Sequence, residues 1–132
     1  MIEIDTDKSR LDIAVVHRFI SSTYWAEGRS VENVQVTIDN SHCFGVYLDG
    51  SQIGFARVVT DYSVFAYLMD VFILEEHQGK GYSSILMKAI LSDTKLNAIK
   101  TWRLATTDAH YLNAKFGFTP LAHPENLMEK KV

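Results

Sequence analysis

The stretch Val71-Phe72-Ile73-Leu74-Glu75-Glu76-His77-Gln78-Gly79-Lys80-Gly81-Tyr82-Ser83 decides how the rest of the chain is read. An apolar run stops, a short polar turn carries two glycines, and an amphipathic segment, residues 84–91, follows. That order predicts strand, loop and helix. Glycine suits a backbone that turns tightly or comes close to another group. A helix beginning near Gly81 aims unsatisfied N–H groups and the positive end of its dipole at the loop. Such a place binds anions, and Lys80 adds a cation. A phosphate or pyrophosphate is the simplest ligand.

On the N-terminal side, residues 1–5 alternate as a short strand, and residues 11–20 carry a helical apolar stripe that Ser9 or Asp12 could cap. Residues 21–30 break the periodicity yet hold Tyr24, Trp25 and Glu27. Aromatic loops of this kind bind ligands or lid a core, so these three are candidate substrate contacts. Ser30 caps a second helix over residues 31–38. Residues 42–48 and 52–60 are β-rich and joined by Asp49-Gly50-Ser51, which predicts a hairpin. Arg57 interrupts the second of these strands and either pairs with an acid or faces a site. The next strand, residues 64–74, contains one acid in an apolar setting, Asp70.

On the C-terminal side, residues 100–106 read as a strand. Asp108 can cap a short helix that ends at Gly117, and residues 126–130 can add a last strand. The order predicts a mixed, mostly antiparallel sheet with a β-α-β crossover and helices on its faces.

The chain has 132 residues, enough for one domain with a core, and its formal net charge of -3 implies no broad basic surface for nucleic acid. Its single cysteine, Cys43, cannot form an internal disulfide and reads as a buried structural thiol in a reducing compartment. No segment has the apolar length of a membrane helix, and no signal-peptide pattern opens the chain. A cytoplasmic location is expected, with no membrane or nucleic-acid partner. No metal-ligand cluster is expected either, and a homodimer is left open.

Two familiar phosphate loops do not fit. The Walker pattern needs Gly-Lys-Ser/Thr after a longer loop, and the dinucleotide fingerprint needs three glycines at fixed spacing. What remains, Gln78-x-x-Gly81-x-Ser83, resembles the Gln/Arg-x-x-Gly-x-Gly/Ala signature of the GNAT family of N-acetyltransferases, with Ser83 where Gly or Ala is usual. Ala109-x-x-Leu112-x-x-x-Phe116-Gly117-Phe118 is similar to a second landmark of that family, and Tyr67-Leu68-x-Asp70-x-Phe72 to its fourth strand. The resemblance spans essentially the whole chain, residues 1–132. It implies an α/β, GNAT-like sheet of about six to seven strands with about four helices, and acetyl-CoA as co-substrate. It implies that the amides of Gln78, Gly79, Lys80, Gly81, Tyr82 and Ser83 hold the pyrophosphate. The carbonyl and pantetheine would then lie against main-chain N–H groups near Phe72 and Ile73.

Acetyl transfer to an amine needs neutral amine, donors for the carbonyl oxygen and a departing thiolate. An alkylammonium of pKa about 10.4 is neutral about once in 2,500 at pH 7, a cost of roughly 4.6 kcal/mol, whereas expelling a thiolate of pKa about 8.5 costs about 2 kcal/mol. A base therefore matters more than an acid. Asp70 is the candidate base, directly or through water, with structural pairing to Arg57 as the alternative. The family's usual acid is a Tyr four residues before Gly-Phe; that position is Asn113, which can donate a hydrogen bond but no proton. Tyr111 is the nearest phenol, about 200° away around a helix. The expected function is transfer of acetyl to a primary amine, that of a small molecule. Alternatives are an acyl-CoA-binding sensor with catalysis lost, which Asn113 would favour, and acetylation of a protein N-terminus or lysine.

Overall fold

The computed structural model describes residues 1–23 and 28–132. Among them one five-stranded sheet forms, in the order β1-β2-β3-β4-β5. The strands are β1 (Ile2–Asp5), β2 (His42–Leu48), β3 (Ser51–Thr60), β4 (Phe65–Ile73) and β5 (Thr101–Leu104). The first four run antiparallel to their neighbours, and β5 runs parallel to β4. Helices α1 (Ile13–Ser21) and α2 (Val31–Asp39) separate β1 from β2. Helix α3 (Tyr82–Leu91) makes the crossover, and α4 (His110–Ala114) follows β5.

Local chemistry accounts for most boundaries. Asp12 caps α1 by accepting from Ala14 and Val15, and Ser30 caps α2 by accepting from Asn33. Asp49 (φ 50°) and Gly50 (φ 87°) are both left-handed, the two-residue turn that matches the twist of a hairpin. Between β3 and β4, Asp61 accepts from the N–H groups of Ser63, Val64 and Phe65, which hold its carboxyl below the usual carboxylate range.

Three expectations are corrected. Among the described residues there are five strands rather than six or seven, because residues 126–130 form none. They follow a 3-10 turn, Pro124–Asn126, and lie exposed, with Met128 98% accessible. A strand needs a neighbour and a half-buried face, and these residues have neither among the described residues. Asp108 does not cap α4; the Thr106 hydroxyl accepts from the Ala109 N–H instead. Helix α3 begins two residues earlier than its apolar pattern indicates, at Tyr82.

The sheet separates two cores. Leu86, Met87 and Ile90 of α3 pack on Phe44, Val46, Ala56, Val58, Leu68 and Ile73 on one face. Val16 and Ile20 of α1 with Val34 and Ile38 of α2 pack on Cys43, Phe55 and Phe72 on the other. Phe19 of α1 stacks on Phe72 with ring centroids 4.2 Å apart, which pins α1 beside the end of β4. Cys43 is buried in the second core, where burial pushes its thiol up to about 11, so it stays protonated as a small apolar side chain. No helix among the described residues is long and apolar enough to cross a membrane.

Candidate active site

The site is built on an irregularity in β4. Phe55 stands opposite Phe72 and Arg57 opposite Met69, so two residues of β4, Asp70 and Val71, face the single residue Ala56. That is a β-bulge, and Asp70 takes the left-handed conformation it requires, φ 53°. Aspartate is one of the few side chains that tolerate this region. The extra residue reverses the phase of the strand. Before it, Ala66 and Leu68 face α3; after it, Val71 and Ile73 do. Without the bulge Asp70 would continue the series of Ala66 and Leu68 into an apolar core. With it, Asp70 lies on the α1/α2 face beside Arg57.

The bulge also ends a pairing. Contact between β4 and β5 runs only from Phe65↔Thr101 to Leu68↔Leu104, while β4 continues to Ile73. The Leu74 N–H donates to Ile53 O at 2.7 Å, so alternation turns the main-chain groups of Phe72 toward β3 and those of Ile73 to the opposite side. Gln78 Nε2 donates to Ile73 O at 2.8 Å. The Ile73 N–H is thus aimed along the edge that β5 leaves uncovered. Of the two expected carbonyl donors, Ile73 is suitably turned and Phe72 is committed to the sheet.

The loop beyond β4 starts as a 3-10 turn, Glu75–His77, in which the N–H groups of His77 and Gln78 donate to Leu74 O and Glu75 O. Gln78 therefore contributes its side chain to Ile73 rather than an amide to a ligand. Gly79 (φ 79°) and Gly81 (φ 83°) are both left-handed, and a Cβ at either would meet nothing within 4 Å. They are needed for backbone conformation, not for close packing. Gly81 is the N-cap of α3 and has no side chain to satisfy the helix start. Among the described residues, no acceptor is bonded to the N–H groups of residues 79–84. Exposed Lys80 lies within this loop, and Tyr82 and Ser83 open the helix half-buried. A cluster of orphan donors at a helix N-terminus fits a diphosphate, which offers the acceptors and charge they lack.

Asp70 is not a solitary carboxylate. Its Oδ2 accepts from Arg57 Nε at 2.8 Å and from Arg29 Nη1 at 3.0 Å. Arg57 also donates to the Ser41 hydroxyl and to the Met69 sulfur. Pairing with Arg57, the alternative weighed for this acid, is present. Oδ2 is thus committed to two charge-assisted hydrogen bonds with guanidiniums. Arg29, not singled out from the sequence, is the second partner. Its only sequence signal is that a buried acid needs counter-charge. The His17 ring on α1 holds Arg29 in place through a hydrogen bond of 2.8 Å between Nε2 and Arg29 O.

Asn113 is buried on α4, whereas Tyr111 is 79% exposed with Lys115 over its ring. The half-turn between them turns the two side chains to different surroundings. Tyr24, Trp25 and Glu27 lie outside the described residues. Among the described residues no group of three His, Cys, Asp or Glu side chains could hold a metal ion. A cavity of about 350 Å³, lined by Leu91, Lys100, Trp102 and Phe118 among others, lies toward the N-terminal end of β5, away from the glycine loop.

The family model described as "Acetyltransferase (GNAT) domain" matches residues 39–120. A crystal structure of a Xanthomonas campestris pv. campestris protein belonging to the GNAT family superposes with a TM-score of 0.96 at 48% identity, covering 100% of this chain and 94% of that one. A Gibberella zeae protein that carries an acetyltransferase name is 29% identical over 138 residues, 85% of this chain and 75% of its own length. A Clostridium acetobutylicum structure, described as a predicted acetyltransferase with acetyl-CoA, shares the fold at a TM-score of 0.72 and 12% identity, covering 99% of this chain and 96% of that one.

Proposed function

The chain belongs to the GNAT acetyltransferase family, and from that premise we propose that it transfers the acetyl group of acetyl-CoA to a primary amine of a small molecule, with residues 1–132 acting as one acetyltransferase domain. One observation carries the reading. Two left-handed glycines leave the first N–H groups of α3 without acceptors among the described residues, next to the edge of β4 that β5 does not cover. The diphosphate would sit on the amides of residues 79–83, and the pantetheine would run along β4. The thioester oxygen would then reach the Ile73 N–H, a fixed donor for the charge that develops on it.

In the reaction the neutral amine attacks the thioester carbon. Its lone pair forms the C–N bond, the C–S bond breaks, and the thiolate leaves with the electron pair. The proton shed by the nitrogen passes to water, and the thiolate takes one from solvent. The Asn113 amide can donate a hydrogen bond to the sulfur but no proton. Since expelling the thiolate costs only about 2 kcal/mol at pH 7, this slows transfer without abolishing it. Asp70 serves as the anchor of the bulge: its ion pairs hold the backbone phase that turns Ile73 outward.

Calorimetry with acetyl-CoA and thiol release with a panel of amines test the proposal. Saturable binding and amine-dependent thiol release are expected. No affinity for acetyl-CoA would overturn it. Binding without turnover on any amine would favour a sensor, the reading that Asn113 at this position supports.

A further inference from the structure

Around Asp70 the described charges do not balance. Two guanidiniums converge on one carboxylate oxygen, and the other contacts of Arg57, Ser41 and Met69, are neutral. The members differ in access: the side chain of Asp70 is 1% exposed, that of Arg57 8% and that of Arg29 19%. Arg57 uses all three of its nitrogens inside the protein. Among the described residues Arg29 donates through one side-chain nitrogen, Nη1, which leaves Nε and Nη2 to a ligand at the outer side of the group. The group lies on the sheet face opposite α3, three residues before Ile73. At about 3.3 Å per residue that is roughly 10 Å, less the shortening of the bulge. The span suits a small molecule with an amine at one end and an anion at the other.

We propose that Arg29 binds a carboxylate of the acceptor, so that the substrate class is an amino acid or a related amino-carboxylate. The inference rests on the acetyltransferase reading. A planar guanidinium matches a carboxylate with paired hydrogen bonds, and partial burial strengthens the match. Asp70 and Arg57 keep the Arg29 fork oriented, which makes them positioning residues. The carboxylate completes the charge of the group and leaves the amine pointing toward the thioester.

The test compares glycine, glutamate and phenylalanine with their amides, and adds phosphoethanolamine as a phosphate-bearing amine. Thiol release gives initial rates, and calorimetry on the protein–CoA complex gives affinity. An amide's amine is less basic and more often neutral, so chemistry alone favours the amides. The expected result is the reverse: at least one acid exceeds its amide about tenfold or more in kcat/KM. Arg29→Ala should raise KM for that acid about tenfold, with a smaller change in kcat, and abolish the discrimination between acid and amide. Arg29→Lys, which keeps the charge but not the fork, should restore part of it. Equal rates for acids and amides would overturn the inference, as would heat with neither or turnover of phosphoethanolamine alone. An Arg29→Ala enzyme that lowers acid and amide alike would overturn it too, by showing a merely structural role. Lack of acetyl-CoA binding would sink the enzymatic reading instead. CoA binding and amine turnover without preference for acids would sink only this one.

Discussion

The two halves of β4 obey different rules. From Phe65 to Leu68 the strand has β3 on one side and β5 on the other, and its alternate residues Ala66 and Leu68 enter the core under α3. From Asp70 onward β3 alone remains, the phase is reversed, and a buried acid replaces an apolar residue. The first half stabilises the sheet. The second half trades pairing for an N–H turned toward the edge that β5 leaves and for a charged anchor. A strand can offer its backbone to a ligand only where a neighbour is given up, and the bulge marks that place.

The contrast can be broken by removing the charge that separates the halves. Asp70→Asn keeps size and tolerance of positive φ but leaves two guanidiniums without a counter-ion. Loss of roughly 3–5 kcal/mol is expected in denaturant unfolding. If the variant folds, an unchanged pH–rate profile would exclude proton transfer through Asp70. Deleting the charge at Arg29 instead should cost much less, because the Arg57 pair survives and Arg29 is partly solvated.

Cys43 reports how dry the α1/α2 face is beneath the charged half. Its thiol is raised from 9.0 to about 11 by burial. Between those values the unfolded chain gives up the proton while the folded chain keeps it. Stability therefore falls as pH rises through the window, by about 2–3 kcal/mol. The difference between the native protein and Cys43→Ala, measured by urea unfolding at pH 8 and 10.5, should shrink correspondingly at the higher pH. An identical difference at both would mean water reaches the thiol.

The loop that follows the second half is open to sharper tests. Gly81→Ala puts a Cβ on a left-handed residue at a cost of roughly 1–2 kcal/mol, with no steric clash to blame. Because the strain falls on the helix start, affinity for CoA should drop about tenfold in calorimetry, more than overall stability suggests. Gln78→Ala removes the bond to Ile73 O, and about 1 kcal/mol of stability with it. KM for acetyl-CoA should rise, since the end of β4 loses its tether. Asn113→Tyr should cause the smallest change: kcat stays level or rises slightly, and a large loss would show that the amide has a role of its own.

Much of this was legible in the chain. The strand–loop–helix around Gly79 and Gly81, the caps Asp12 and Ser30, the Asp49-Gly50 hairpin and the crossover all follow from local preferences and periodicity. So did the need for a partner to Asp70. The tail was misread because residues 126–130 look like a strand in isolation, while strand formation depends on a neighbour. Asp108 was misread because α4 starts one residue later, with Ala109 at its N-cap and no side chain bonded there. Arg29 was missed because its partner is 41 residues away, a distance no local pattern spans.

The amino-acid order alone therefore determined the elements, their sequence and the donor-rich turn before α3, since these depend on φ preferences and apolar spacing within a few residues. Tertiary structure alone decided which face Asp70 occupies, where β4 and β5 part, and that Ile73 rather than Phe72 offers its N–H. Each of those depends on one extra residue in the register between β3 and β4. Register is a relation between strands, fixed by packing on both faces at once, and is written in neither strand by itself.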